Sequence, residues 1–187
     1  AIPFDELKGE GRRDGVGDIA EYSFQDRLDL STGVSESVPV SRILLSAIPG
    51  AVSVEKADLG DDKNGVDYWV YRERARPVAV DIKVRETDPL AEWNKDDLAL
   101  EIWGNVKERR IGWTADTSKE TDYVLWYFES TRRWVMMPFI PLCAVFRDNL
   151  ATWQAEYKVA TQSSGSWKSQ CVFVPRQEIW SAIIDRY

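Results

Sequence analysis

The chain has 187 residues, 44% of them apolar and 29% charged, with a formal net charge of -7 and no histidine. That length suits one globular domain with a sizeable core, and the apolar fraction argues against disorder. The missing histidine excludes Ser-His-Asp and Cys-His nucleophiles and His-ligated zinc, and two cysteines are too few for a four-thiolate metal site.

No apolar run approaches the roughly 20 residues of a membrane helix. The opening AIPFDELKGEGRR lacks the charged-then-apolar order of a signal peptide, and its first residue is Ala, which admits processing or truncation. Residues 1–17, punctuated by Gly9, Gly11, Gly15 and Gly17, read as loosely structured. A helix is expected over 18–30, capped by Asp18 with Glu21 three residues on. A polar stretch follows, then the short apolar RILLSAI (42–48), closed by Pro49-Gly50.

From there the period becomes two. AVSVEKA (51–57) alternates weakly, and VDYWVYR (66–72) and PVAVDIKVR (77–85) should pair as a hairpin across ERAR. ETDPLAEWNKD reads as a loop and LALEIWG (98–104) as a strand. YVLWYFE (123–129) and WVMMPFI (134–140) suggest a second hairpin around STRR. Pro141 should open a helix carrying Leu142, Val145, Phe146, Leu150, Trp153 and Tyr157 on one stripe. QSSGS (162–166) reads as a loop and SQCVFVP (169–175) as a strand. A last helix is expected to dock Ile179, Trp180, Ile183, Ile184 and Tyr187. The order implies an α/β or α+β fold in a single domain. Trp153 and Trp180 belong to apolar stripes, while Trp93 and Trp113 lie in polar surroundings that suit stacking on bases. Cys143 and Cys171, both in apolar contexts, read as packing residues rather than a disulfide, which fits an intracellular, cytoplasmic protein.

The charge is uneven: residues 131–187 carry +3 and residues 1–130 carry -10. Against that background one constellation stands out. In Val78-Ala79-Val80-Asp81-Ile82-Lys83-Val84 the valines and isoleucine share one face, and Asp81 and Lys83 share the other. A three-residue turn centred on Arg74 would set Asp67 opposite Asp81, with Cβ atoms about 5 Å apart. Carboxylates that close repel unless a cation lies between them, and a hard cation such as Mg²⁺ suits such ligands. Each residue also has a plainer reading. Asp81 and Lys83 can be an exposed ion pair, Asp67 a strand entry, Glu21 a capping partner, and Glu101 an exposed acid. The basic clusters Lys107, Arg109, Arg110 and Arg132, Arg133 can be solvated turns or phosphate contacts.

Asp67, followed after a hairpin by Asp81-Ile82-Lys83, resembles the signature of the PD-(D/E)XK nuclease superfamily, although Val66 stands where the motif has proline. The likeness spans roughly residues 17–128 and is similar to the Holliday-junction-resolvase and phage-type branches. It implies a restriction-endonuclease-like α/β fold, a mixed sheet flanked by helices. It also implies an endonuclease or exonuclease that hydrolyses DNA with Mg²⁺, or Mn²⁺ as substitute. On that resemblance Asp67 and Asp81 would hold the metal with Glu21 or Glu101 assisting. Lys83 would orient water or stabilise charge. Lys107, Arg109, Arg110, Arg132, Arg133 and Trp113 would meet DNA. A homodimer is compatible with it, and so is an origin in a phage or mobile element. The reading from another class is a catalytically inert fold of this type, serving as a protein-binding or structural module.

Overall fold

The computed structural model describes residues 39–164 and 167–187. The expected helix over 18–30, with Glu21, lies outside the described residues. The fold is mixed α/β, with one five-stranded and one four-stranded sheet flanked by helices. Among the described residues no helix is long and apolar enough to cross a membrane.

Helix α1 (Val40–Ala47) leads through Gly50 into β1 (Ala51–Lys56), and a short α2 (Leu59–Lys63) follows, capped by Asp58. Then come β2 (Tyr68–Arg72) and β3 (Ala75–Arg85), the expected hairpin. Its turn is tighter than a three-residue one: Arg72 pairs with Ala75. Between that pair and Val70↔Val78 the register shifts, because Arg76 and Pro77 of β3 face only Tyr71 of β2. Pro77 has no N–H to give a ladder, so a bulge is where a strand tolerates it. The bulge restores the register that a longer turn would have set, Tyr68↔Val80.

The segment after β3 is not all loop. Asp88 caps a one-turn α3 (Pro89–Trp93), with Pro89 in the first turn and Asn94 closing it in the left-handed region. Strand β4 (Asp97–Asn105) turns into a two-residue β5 (Arg110–Ile111), and a 3₁₀ turn (Trp113–Ala115) follows. Strands β6 (Tyr123–Phe128) and β7 (Arg133–Pro138) form the second hairpin. Helix α4 (Phe139–Glu156) begins two residues before Pro141, which still sits in the first turn, where its missing N–H costs nothing. The expected QSSGS loop is mostly strand: β8 (Val159–Ser164) pairs with β9 (Trp167–Pro175). Its polar VATQSS gave no apolar alternation because β8 is an edge strand with little to bury. Helix α5 (Arg176–Arg186) closes the chain.

The five-stranded sheet runs β1-β2-β3-β6-β7, antiparallel except for the parallel pair β3·β6. The other sheet runs β5-β4-β9-β8, all antiparallel. Strand β6 is buried on both faces, which explains its unbroken apolar sequence. Leu125 and Tyr127 join Val70, Val78 and Val80 under Ile43 and Leu44 of α1. Val124, Trp126 and Phe128 face the larger core, built with Leu98, Leu100 and Ile102 of β4, Val172 and Val174 of β9, and the inner stripe of α4. In the last helix Ile179 and Ile183 are buried, but Ile184 and Tyr187 face solvent. An apolar residue one step round a short terminal helix has no second surface to meet. Cys143 and Cys171 are free thiols.

Candidate active site

The odd-numbered residues of β3 turn toward the larger core. Asp81 lies beside Val124 and Lys83 beside Trp126 in the parallel register, on the face that meets the second core layer. Asp81 is buried, at 7% exposure, so the pair is not a surface ornament. Lys83 Nζ lies 2.7 Å from the Asp81 carboxylate.

Asp67 reaches the same place from the end of β2. Gly65 turns the chain with φ of 82°, a conformation that favours glycine, and the Thr121 hydroxyl donates to its carbonyl. Val66 is then fully buried, which fixes the approach. The Asp67 N–H donates to Val80 O at 3.0 Å, carrying the ladder one residue past β2. Its carboxylate accepts the N–H of Ile82 at 2.5 Å and so replaces the strand that ends there. Asp81 follows Val80 in β3, so Asp67 and Asp81 lie at the same end of the hairpin. The two carboxyl groups are within hydrogen-bonding reach of each other. Burial and then the charge of Asp81 push the Asp67 carboxyl up to about 7, against the opposing pull of the Ile82 N–H and Lys83.

The structure therefore brings Asp67, Asp81 and Lys83 together. The donor set fits a hard divalent ion: two neighbouring carboxyl groups, one of them raised by burial and by the charge of the other, with one lysine beside them. Mg²⁺ commonly takes one or two carboxylates and keeps its other positions for water and phosphate. Among the described residues no three carboxylate or thiol groups gather on one point. Glu101 Oε2 accepts the Trp113 N–H at 3.0 Å, and the Glu101 N–H donates to Thr114 Oγ1 at 2.8 Å. Trp113, expected to stack on bases, is half-buried: its ring tilts against Trp126 at 5.9 Å, and Lys83 Nζ lies 5.0 Å from the ring centroid. Trp126 Nε1 is buried with no hydrogen-bond partner among the described residues.

The basic residues divide. Lys107 and Arg109 are exposed in the turn between β4 and β5, where Asn105 Oδ1 accepts the N–H groups of Lys107 and Glu108. Arg110 is exposed and lies over Trp167, 4.4 Å from the ring centroid. A Cβ on Gly104 would lie within 3.5 Å of both Arg110 Nε and Glu101 Oε2, so Arg110 borders the loop that carries Trp113. Arg132 is exposed at the tip of the second hairpin. Arg133 is half-buried and engaged in ion pairs. Its guanidinium binds Asp88 at 2.7 Å and Asp96 at 2.9 Å, over the ring of Phe128. Two acids brought from before α3 and before β4 claim it, and sequence spacing gave no sign of either. Both thiols are raised by burial, Cys171 to about 11, which makes neither a nucleophile.

Comparison of the chain and its fold with protein-family models, curated proteins and solved structures finds no match.

Proposed function

We propose that the protein is a metal-dependent phosphodiesterase acting on DNA, with a site of the PD-(D/E)XK type. The observation that carries this reading is the meeting of Asp67, Asp81 and Lys83 at one place on the mixed sheet: the Asp67 carboxylate accepts the Ile82 N–H at 2.5 Å, and Lys83 Nζ lies 2.7 Å from the Asp81 carboxylate. Asp67 and Asp81 would hold Mg²⁺ or, as substitute, Mn²⁺. When bound, such an ion neutralises the phosphate and acidifies a water. Holding the ion would require the Asp67 carboxyl to release its proton to solvent, and its carboxylate would then serve as a ligand beside Asp81. Lys83, beside Asp81, would supply an ammonium for the charge that develops on the phosphate. Val124 and Trp126, beside Asp81 and Lys83 in the parallel ladder, form an apolar wall that strengthens these charge interactions. Arg110, Lys107, Arg109 and Arg132 supply exposed cations for the DNA backbone.

One observation favours a rival. A closed Asp81–Lys83 pair, with Asp67 capping Ile82, is also a self-sufficient structural knot. An inert module, binding a protein partner in a phage or mobile element, would need no more. Plasmid nicking with Mg²⁺ or Mn²⁺ separates the two. Cleavage that stops with chelator and is lost in Asp67→Asn and Asp81→Asn supports the enzyme. Intact plasmid at high enzyme concentration with either metal sinks it.

A further inference from the structure

We infer that Trp113 is a positioning residue for Lys83, and that Glu101 acts through Trp113 by holding the loop that presents the ring. The catalytic meaning of this inference rests on the phosphodiesterase reading, but its structural content does not.

Lys83 Nζ has two partners, the Asp81 carboxylate at 2.7 Å and the Trp113 ring with its centroid at 5.0 Å. The first is one that a divalent cation would compete for, since both draw on the same carboxylate charge. The second is neutral and would remain. An ammonium on a flexible four-carbon stem needs such a hold to stay in the site once its carboxylate is shared. The ring is itself fixed from three sides. Its back tilts onto Trp126. Its backbone N–H is held by Glu101 Oε2 at 3.0 Å, and Thr114, next in the chain, accepts the Glu101 N–H at 2.8 Å. Gly112 lets the loop come this close: a Cβ there would lie 2.3 Å from the Glu101 carbonyl oxygen. Glu101 and Trp113, read from sequence as a metal ligand and a base-stacking ring, are thus one device aimed at the lysine.

The test uses the full chain with ¹³C-labelled lysine. The Lys83 Hε signals are assigned by their loss in Lys83→Arg. In the wild type the indole ring current should shift them upfield of the other lysines. Trp113→Leu should return them to the common range, and Trp113→Phe should keep part of the shift. Glu101→Ala should act like Trp113→Leu, while Glu101→Gln, whose amide oxygen still accepts the Trp113 N–H, should resemble the wild type. Backbone amide spectra report folding of each variant. In the nicking assay Trp113→Leu should lower kcat about 3- to 30-fold with KM kept, the range a partly desolvated cation–π contact spans, and Trp113→Phe should recover most of it. Unshifted Lys83 signals in the wild type overturn the inference without any variant. Signals that stay shifted in folded Glu101→Ala overturn the role of Glu101. A wild type that cuts nothing removes the phosphodiesterase reading, and the lysine signals then decide the positioning alone.

Discussion

Asp67 ties the site to pH. In the folded, metal-free protein its carboxyl is pushed up to about 7 by burial and by Asp81, whereas in the unfolded chain it titrates near 3.8. Between those values the folded state holds the proton and the unfolded state does not, so stability falls as pH rises through this window and levels off above it. Asp67→Asn keeps an oxygen for the Ile82 N–H and removes the charge. It should raise stability at pH 8 by about 2–4 kcal/mol, with the gain shrinking to nothing near pH 4; urea melts in chelator measure it. A gain that is flat in pH would show that the charge of Asp67 is not what burial penalises. Lys83→Ala makes the complementary point. An exposed pair would contribute about 0–1 kcal/mol, but Asp81 is buried, so losing its partner should cost about 3–5 kcal/mol without metal. Mn²⁺ should restore much of that stability while turnover stays down about 10²–10³-fold. Asp81→Asn should instead lose Mn²⁺ binding and turnover together, as calorimetry beside plasmid nicking would record.

At the scale of elements, the two layers are clamped by charge as well as by apolar contact. Asp88 caps α3, accepts the Thr131 hydroxyl and binds Arg133 of β7. Asp96, just before β4, joins Arg133 to Arg176 at the start of α5. Arg133 holds the Asp88 carboxyl far below its usual range, so this contribution is present above about pH 4 and is lost only as acid reaches the folded-state value. Arg133→Ala or Asp88→Ala should each destabilise by about 3–5 kcal/mol in urea, whereas Arg132→Ala, exposed in the neighbouring position, should stay within about 0.5 kcal/mol. Equal, small effects at 132 and 133 would mean the clamp is not coupled to folding. Helix α5 has a smaller anchorage than its sequence promises, since only Ile179 and Ile183 are buried. Ending the chain after Pro175 should still uncover the core beside Val172 and Val174 and lower the yield of soluble protein.

For the whole molecule, the acidic balance sets the terms on which DNA is met. A net charge of -7 repels a polyanion, and the exposed cations proposed to face it are few: Lys107, Arg109, Arg110 and Arg132. Each neutralised phosphate contributes about 0.9 to the salt slope of log K, so the slope should not exceed about 4. Arg110→Ala should lower it by about 1 without altering the Mn²⁺-induced rise in melting temperature. Filter binding across a salt series, with the cleavage-deficient Asp81→Asn, checks the slope. A slope far above 4 would point to a basic surface outside these residues.

The alternation of Val78, Val80, Ile82 and Val84 against Asp81 and Lys83 determined the strand and its polar face, because the period of two leaves no other arrangement. The alternation around ERAR likewise determined the hairpin, which brings Asp67 to the same end as Asp81. The Tyr68↔Val80 register comes through a short turn and a bulge at Arg76–Pro77 that cancel each other. The pattern Asp88-Pro89 with Asn94 carried the signal for α3, a cap, a first-turn proline and a left-handed stop, though the segment reads as loop on composition alone. Other features were decided by tertiary structure alone. Which face of β3 meets the larger core depends on how β6 docks in parallel, a contact between segments some 40 residues apart. That Arg133 is spent on Asp88 and Asp96, that Glu101 holds Trp113, and that Ile184 lies in water all depend on partners from distant segments. Local periodicity fixes which side of an element a residue occupies. It does not fix what the chain later brings to that side, and for Arg133, Glu101 and Lys83 those partners come from distant segments.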